Sequence, residues 1–200
     1  MTSIHELFKR LHDEIWKQGK PFIENYQGVN ILDRTVSWLG IQGLVLVRDE
    51  YLRIWEYIIS LRVEAVATGR MFQDGLVVTG HPGIGKSMFS LYALGAALEA
   101  HIPVVVCQNT HFCHVFDATG VKEFALGRDD LFAAPCHALY LFDSYYDLHS
   151  PPRCFLGRSG VLVHTVGPGN WTNWKWTERS NNALFWIMGV WTRAEMQALQ

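Results

Sequence analysis

At 200 residues, 49% of them apolar and 18% charged, the chain is long enough for one domain with a substantial core, and poorer in charge than the roughly 25% usual for globular proteins. A formal net charge of −2 leaves no electrostatic footprint for direct nucleic-acid binding. No apolar run approaches the ~18 residues of a membrane span, and charges break up the first apolar run, so the expected setting is intracellular, cytoplasmic or nuclear, with no membrane partner.

The N-terminal stretch "MTSIHELFKRLHDEIW" predicts an amphipathic helix. Ile4, Leu7, Phe8, Leu11 and Ile15 share one face, Ser3 with Glu6 makes a capping box, and Gly19 and Pro21 end the helix. Residues 20 to 43 read as loop-like, so residues 1–43 form a helix and linker ahead of a domain over 44–200. A short apolar run and a long helix from about Asp49 follow, then the buried strand "GLVVTG" and, after a glycine loop, the Ala- and Leu-rich helix "KSMFSLYALGAALEA". "IPVVVC", "HALYLFD", "GVLVHT" and "ALFWIM" complete five strands, with a capped helix from Thr192 and Glu195 behind the last. Apolar strands of five or six residues between helices predict a mostly parallel five-stranded sheet covered on both faces, a three-layer α/β/α domain.

Four cysteines (Cys107, Cys113, Cys136 and Cys154) suit buried thiols in a reducing compartment. "CQNTHFCH" crowds Cys107, His111, Cys113 and His114, but the spacing is not that of a zinc knuckle and no second ligand pair follows. The sequon at Asn170 carries no meaning without a secretory signal. Eight tryptophans and eleven phenylalanines fit either a well-filled core or apolar surface that meets another subunit or domain.

The most informative stretch is "VVTGHPGIGKSMF". Gly80-x4-Gly85-Lys86-Ser87 fits the phosphate-binding P-loop, between a strand and a helix as that chemistry requires. Backbone N–H groups of such a loop and the helix N-terminus converge on phosphate, and Gly83 and Gly85 permit conformations that a Cβ would block. The nucleotide-contacting set is therefore Gly80, His81, Pro82, Gly83, Ile84, Gly85, Lys86, Ser87 and Met88, with Lys86 on the β- and γ-phosphates and the Ser87 hydroxyl on Mg2+. Asp143, ending an apolar strand downstream, is the expected second magnesium contact, the Walker B aspartate. Many P-loop ATPases follow that aspartate with a glutamate that polarises water. Ser144 stands there, with Asp147 and His149 as nearby alternatives. Thr165, at the end of the fourth strand, is a candidate sensor of the γ-phosphate, in competition with Asn170.

"VLVRDEY", "VVTGHPGIGKSMF", "LYLFDSYYDLHSPPR" and "WIMGVWTRAEM" together resemble the P-loop ATPase domain of fungal Crinkler and retrotransposon-hot-spot-like proteins, in the AAA+/STAND-like branch of P-loop NTPases, over about residues 44 to 200. The resemblance implies that "VRDEY" lies against the adenine, with Arg48 as its signature residue, and that an Asp-Ser pair is normal at Asp143-Ser144. It implies an effector domain joined to the ATPase. The helical lid of AAA+-like proteins would follow Gln200, and none of Arg153, Arg158 and Arg179 is assignable as an arginine finger. The expected activity is Mg-ATP binding with slow or assembly-dependent hydrolysis; the alternative is a nucleotide-dependent switch or scaffold without meaningful turnover. A small-molecule kinase would need an acceptor pocket and lid arginines that are not visible.

Overall fold

The computed structural model describes residues 3–26, 29–32, 45–68, 74–107, 111–126, 135–144, 151–152, 155, 159–167 and 183–198. Asp147, His149, Asn170, Arg153, Arg158, Arg179 and Cys154 lie outside them.

Helix α1 (Ile4–His12) starts where Ser3 accepts a hydrogen bond from the Glu6 N–H at 3.2 Å, and it runs on into a π-helical turn over Asp13–Lys17. Strands β1 (Ile23–Tyr26), β2 (Val29–Leu32) and β3 (Val45–Leu46) form a small antiparallel sheet, so part of the segment read as loop is strand. Helix α2 (Asp49–Ala67) precedes strand β4 (Asp74–Thr79), and helix α3 (Lys86–Glu99) follows the glycine loop. Then come β5 (Val104–Cys107), β6 (Phe112–Asp117), β7 (Gly120–Ala125), β8 (Ala138–Asp143), β9 (Gly160–Thr165) and β10 (Ala183–Ile187), before the short helix α4 (Arg193–Gln197). Among the described residues no helix is long and apolar enough to cross a membrane.

The main sheet has seven strands in the order β10-β4-β9-β8-β5-β6-β7. The five expected strands are all there and mutually parallel. The expectation of five is corrected by β6 and β7, an antiparallel hairpin that extends the β5 edge. Its turn is held by Asp117, whose carboxylate accepts from the Thr119 N–H at 2.7 Å.

Residues alternate across this sheet into two buried clusters. Leu76, Val78, Leu141 and Val163 face α1, α2 and α3, while Val77, Tyr140, Phe142 and Leu162 face the other way, against Phe155. The described helices α1 to α3 thus pack on one face, and a helical layer on the second face is not seen among the described residues. Phe8, Leu11, Ile15 and Phe22 share the core of α2 and α3, so the N-terminal segment is built into the first cluster. Helix α3 is buried on every side from Phe89 to Leu98, which is why its sequence carries almost no polar stripe.

Gly95 shows how tightly the N-terminal segment meets α3. A Cβ placed there would lie 1.7 Å from the Phe22 ring, itself 2% exposed. Gly95→Ala should gain about 1 kcal/mol of helix propensity and lose about 1–3 kcal/mol to overpacking. The expected net result is a loss on the order of 1 kcal/mol in urea unfolding; a more stable variant would show that the Phe22 ring is free to move aside.

Candidate phosphate-binding site

The parallel strands end together, and β4 passes directly into the loop Gly80–Gly85. Gly80 (φ 151°), Gly83 (φ 74°) and Gly85 (φ 101°) all have positive φ, and at Gly85 the space is closed as well. A Cβ there would sit 2.3 Å from the Tyr51 hydroxyl, which donates to the Gly85 carbonyl at 2.8 Å. His81, Pro82 and Gly83 form the exposed arc of the loop, and Ile84 is buried beneath it. Gly85 is the N-cap of α3, so the unpaired N–H groups and positive end of a 14-residue helix open at this point.

Five polar side chains meet beside the loop. Lys86, half-buried, donates to the carbonyls of Gly80 at 3.0 Å and His81 at 2.8 Å. Asp143 ends β8, in register with Thr165 on β9, and its carboxylate accepts side-chain hydrogen bonds from Ser87 and Thr165. Ser90, one turn along α3 from Ser87, lies 3.2 Å from the Thr165 hydroxyl. Burial pushes the Asp143 carboxyl above its ordinary value, against those hydrogen bonds and the charge of Lys86. It pushes Lys86 below its ordinary value, with Asp143 opposing. Desolvation therefore works against both charges.

The expected residues Lys86, Ser87, Asp143 and Thr165 are brought together. Met88 is half-buried on the first turn of α3. Ser87 and Asp143 offer oxygen donors of the kind a small, hard divalent cation takes. Ser144, the residue after Asp143, is turned away: its hydroxyl bonds Nε2 of His164. His164 packs 4.8 Å from Phe142 in the second cluster, on the face opposite α3, and burial pushes its pKa down to about 3, so the imidazole is neutral.

Arg48 lies behind the loop. Its side chain is 2% exposed, and all three guanidinium nitrogens bond within the chain. NH1 donates to the Ile84 carbonyl at 2.8 Å, NH2 to the Gly189 and Val190 carbonyls at 3.1 Å each, and Nε to Glu195 at 3.0 Å. The Trp191 ring covers it at 4.5 Å. Glu50 adds a second link, accepting from the Trp186 indole at 2.8 Å.

Tyr51, Ser90, His164 and Glu195 also belong to this site, although the sequence alone does not assign them to it. Ser90 carried a signal, being three residues from Ser87 on one helix face. Glu195 was visible only as a capping residue, and that box forms: Thr192 accepts from the Glu195 N–H at 3.2 Å, and Glu195 from the Thr192 N–H at 2.7 Å. Tyr51 stands in the "VRDEY" stretch, but its partner Gly85 is distant in sequence, as is Thr165, the neighbour of His164, from the loop.

Compared with protein-family models, with curated proteins and with solved structures, the chain finds no match in any of the three.

Arg48→Met should leave half-buried Glu195 and the buried Ile84 carbonyl without their donor and cost about 1–3 kcal/mol, the usual penalty for an unsatisfied buried polar group. The pair also gives a pH signature. Burial alone would raise the Glu195 carboxyl, but hydrogen bonds from Arg48 and Thr192 outweigh it and hold the group below its ordinary value. A depressed folded pKa contributes stability in full above the unfolded value of about 4.3 and loses it as pH falls through the folded value. The stability gap between the parent chain and Glu195→Gln, measured by denaturation across pH, should be constant near neutrality and close in acid.

Proposed function

We propose that the chain is a Mg-ATP-binding P-loop NTPase domain of the additional-strand type, with slow or assembly-dependent hydrolysis. One observation carries this reading: Lys86, Ser87, Asp143 and Thr165 converge at the mouth of the Gly80–Gly85 loop, where α3 begins. The strand order adds to it, since β9 lies between the strand feeding the loop and the strand bearing Asp143. The resemblance to the ATPase domain of Crinkler and retrotransposon-hot-spot-like proteins is in keeping with both.

In this reading the loop N–H groups and the α3 N-terminus bind the phosphates, and Lys86 exchanges its two carbonyl partners for phosphate oxygens. Ser87 and Asp143 would hold Mg2+ through a hydroxyl and a carboxylate oxygen. The ion, when bound, neutralises charge on the phosphates. Thr165 senses the γ-phosphate from the end of β9, and Ser90 fixes its hydroxyl. Arg48 acts on the base side only through the segment it packs against, since its nitrogens are engaged within the chain. Hydrolysis is slow because the position after Asp143 holds a hydroxyl committed to His164. That same contact favours the second reading, a nucleotide-dependent switch without meaningful turnover. Edge strand β10 exposes Leu184, Phe185 and Ile187, the last at 76%, and offers apolar surface to a second copy or an effector domain.

Mg-ATP should raise the melting temperature, as about 2.7 kcal/mol of stabilisation is expected at 100 times the dissociation constant. Lys86→Ala should abolish most of the shift, and its persistence would put the nucleotide elsewhere. Asp143→Asn should remove the magnesium-dependent part of binding and spare the metal-free part. Phosphate release by the monomer should stay below roughly one per minute, against a usual scale of ~10 per second, and rise with protein concentration. Fast release that is flat with concentration would mean that the chain carries a complete catalytic set.

A further inference from the structure

A second polar cluster lies at the far end of the main sheet from β10, away from the phosphate-binding loop. His114 on β6 and Glu123 on β7 are direct cross-strand partners, and α1 lies over them with His5 in its first turn. One donor atom from each of His5, His114 and Glu123 lies within 4.8 Å of the other two. His114 Nε2 is 3.1 Å from Glu123 Oε2, and the His5 ring is 5.6 Å from that of His114, tilted by 30°. Phe8 packs edge-on to His114 at 4.8 Å and supplies an apolar wall. Nδ1 of His5 is buried without a hydrogen-bond partner, an arrangement that native structures rarely leave unused.

We propose that His5, His114 and Glu123 bind a zinc ion that fastens α1 to the β6–β7 hairpin. Two imidazoles and one carboxylate are a zinc donor set, and are softer than the oxygen pair of Ser87 and Asp143. The ion replaces the hydrogen bond between His114 Nε2 and Glu123, and the imidazole proton moves to Nδ1. Because Glu123 is exposed and His5 only half-buried, water takes the fourth position. The His5 donor closes from at most 4.8 Å to about 3.4 Å, the edge of a tetrahedron with ~2.1 Å bonds, while the His114–Glu123 pair opens slightly from 3.1 Å. His5 takes up that shift easily, one residue from the start of α1. Cys107 and Cys113 take no part, being paired on the opposite face of the sheet.

The test is calorimetric titration of Zn2+ into the full chain bearing Cys136→Ser, which removes an exposed thiol, with excess Mg2+ to occupy Asp143. The expected result is one zinc per chain and a raised melting temperature, with His5→Gln and Glu123→Gln each weakening binding more than about tenfold, the lower end of what even outer-shell changes reach. Uptake that survives either substitution, or no uptake at all, overturns the proposal. Cobalt loading of the otherwise unaltered chain reads the site without those variants: strong visible d–d absorption supports a four-coordinate nitrogen and oxygen site, and a weak octahedral spectrum overturns it.

Discussion

A guanidinium that is almost wholly shielded from water must find its hydrogen bonds inside the protein, and Arg48 finds them on three segments far apart in the chain. It joins the start of α2 to the floor of the glycine loop through Ile84, to the turn after β10 through Gly189 and Val190, and to α4 through Glu195. A buried charge left unpaired costs several kcal/mol, so none of these segments can move away without a large penalty. Tyr51 and Glu50, from the same turn of α2, reinforce the arrangement by gripping Gly85 and Trp186. One helical turn thus fixes the loop from behind and leaves its outer arc open.

The charges in front of the loop are treated differently. Lys86 and Asp143 are each partly desolvated, and each is pushed toward its neutral form. Their present partners are loop carbonyls and hydroxyls, which meet the hydrogen-bonding need without matching the charge. A phosphate for the lysine and a cation for the carboxylate would restore full complementarity. The site therefore holds unspent electrostatic capacity where a ligand can reach it, whereas Arg48 has none to spare.

How much of this could be read from the residues depends on distance along the chain. The strand, loop and helix from Asp74 to Glu99 were legible because a β-branched run, glycines and an apolar helix follow one another locally. Asp143 and Thr165 were each found as strand ends, and parallel pairing of β8 and β9 then sets them side by side. The β6–β7 hairpin is not legible in the residues, because its outer strand carries Lys122 and Glu123 and lacks a continuous apolar run. The two cysteines of "CQNTHFCH" turn out to face away from His114, whose neighbour His5 stands more than a hundred residues earlier. Arg48 was recognised through a motif, but nothing local could say that Glu195 would be its partner.

The place of β4 in the sheet bears on how the molecule is made. This strand feeds the phosphate-binding loop, yet its two neighbours are β9 and β10, which follow it far along the chain, after β5 to β8. Both of its edges and the buried run Leu76–Val78 stay unpaired while more than eighty further residues are synthesised. Long-range parallel pairing of this kind is slow, and unpaired apolar strands invite aggregation. The nascent chain therefore depends on early packing of β4 against α2 and α3, and the loop acquires its final shape only when β9 and β10 arrive to flank that strand.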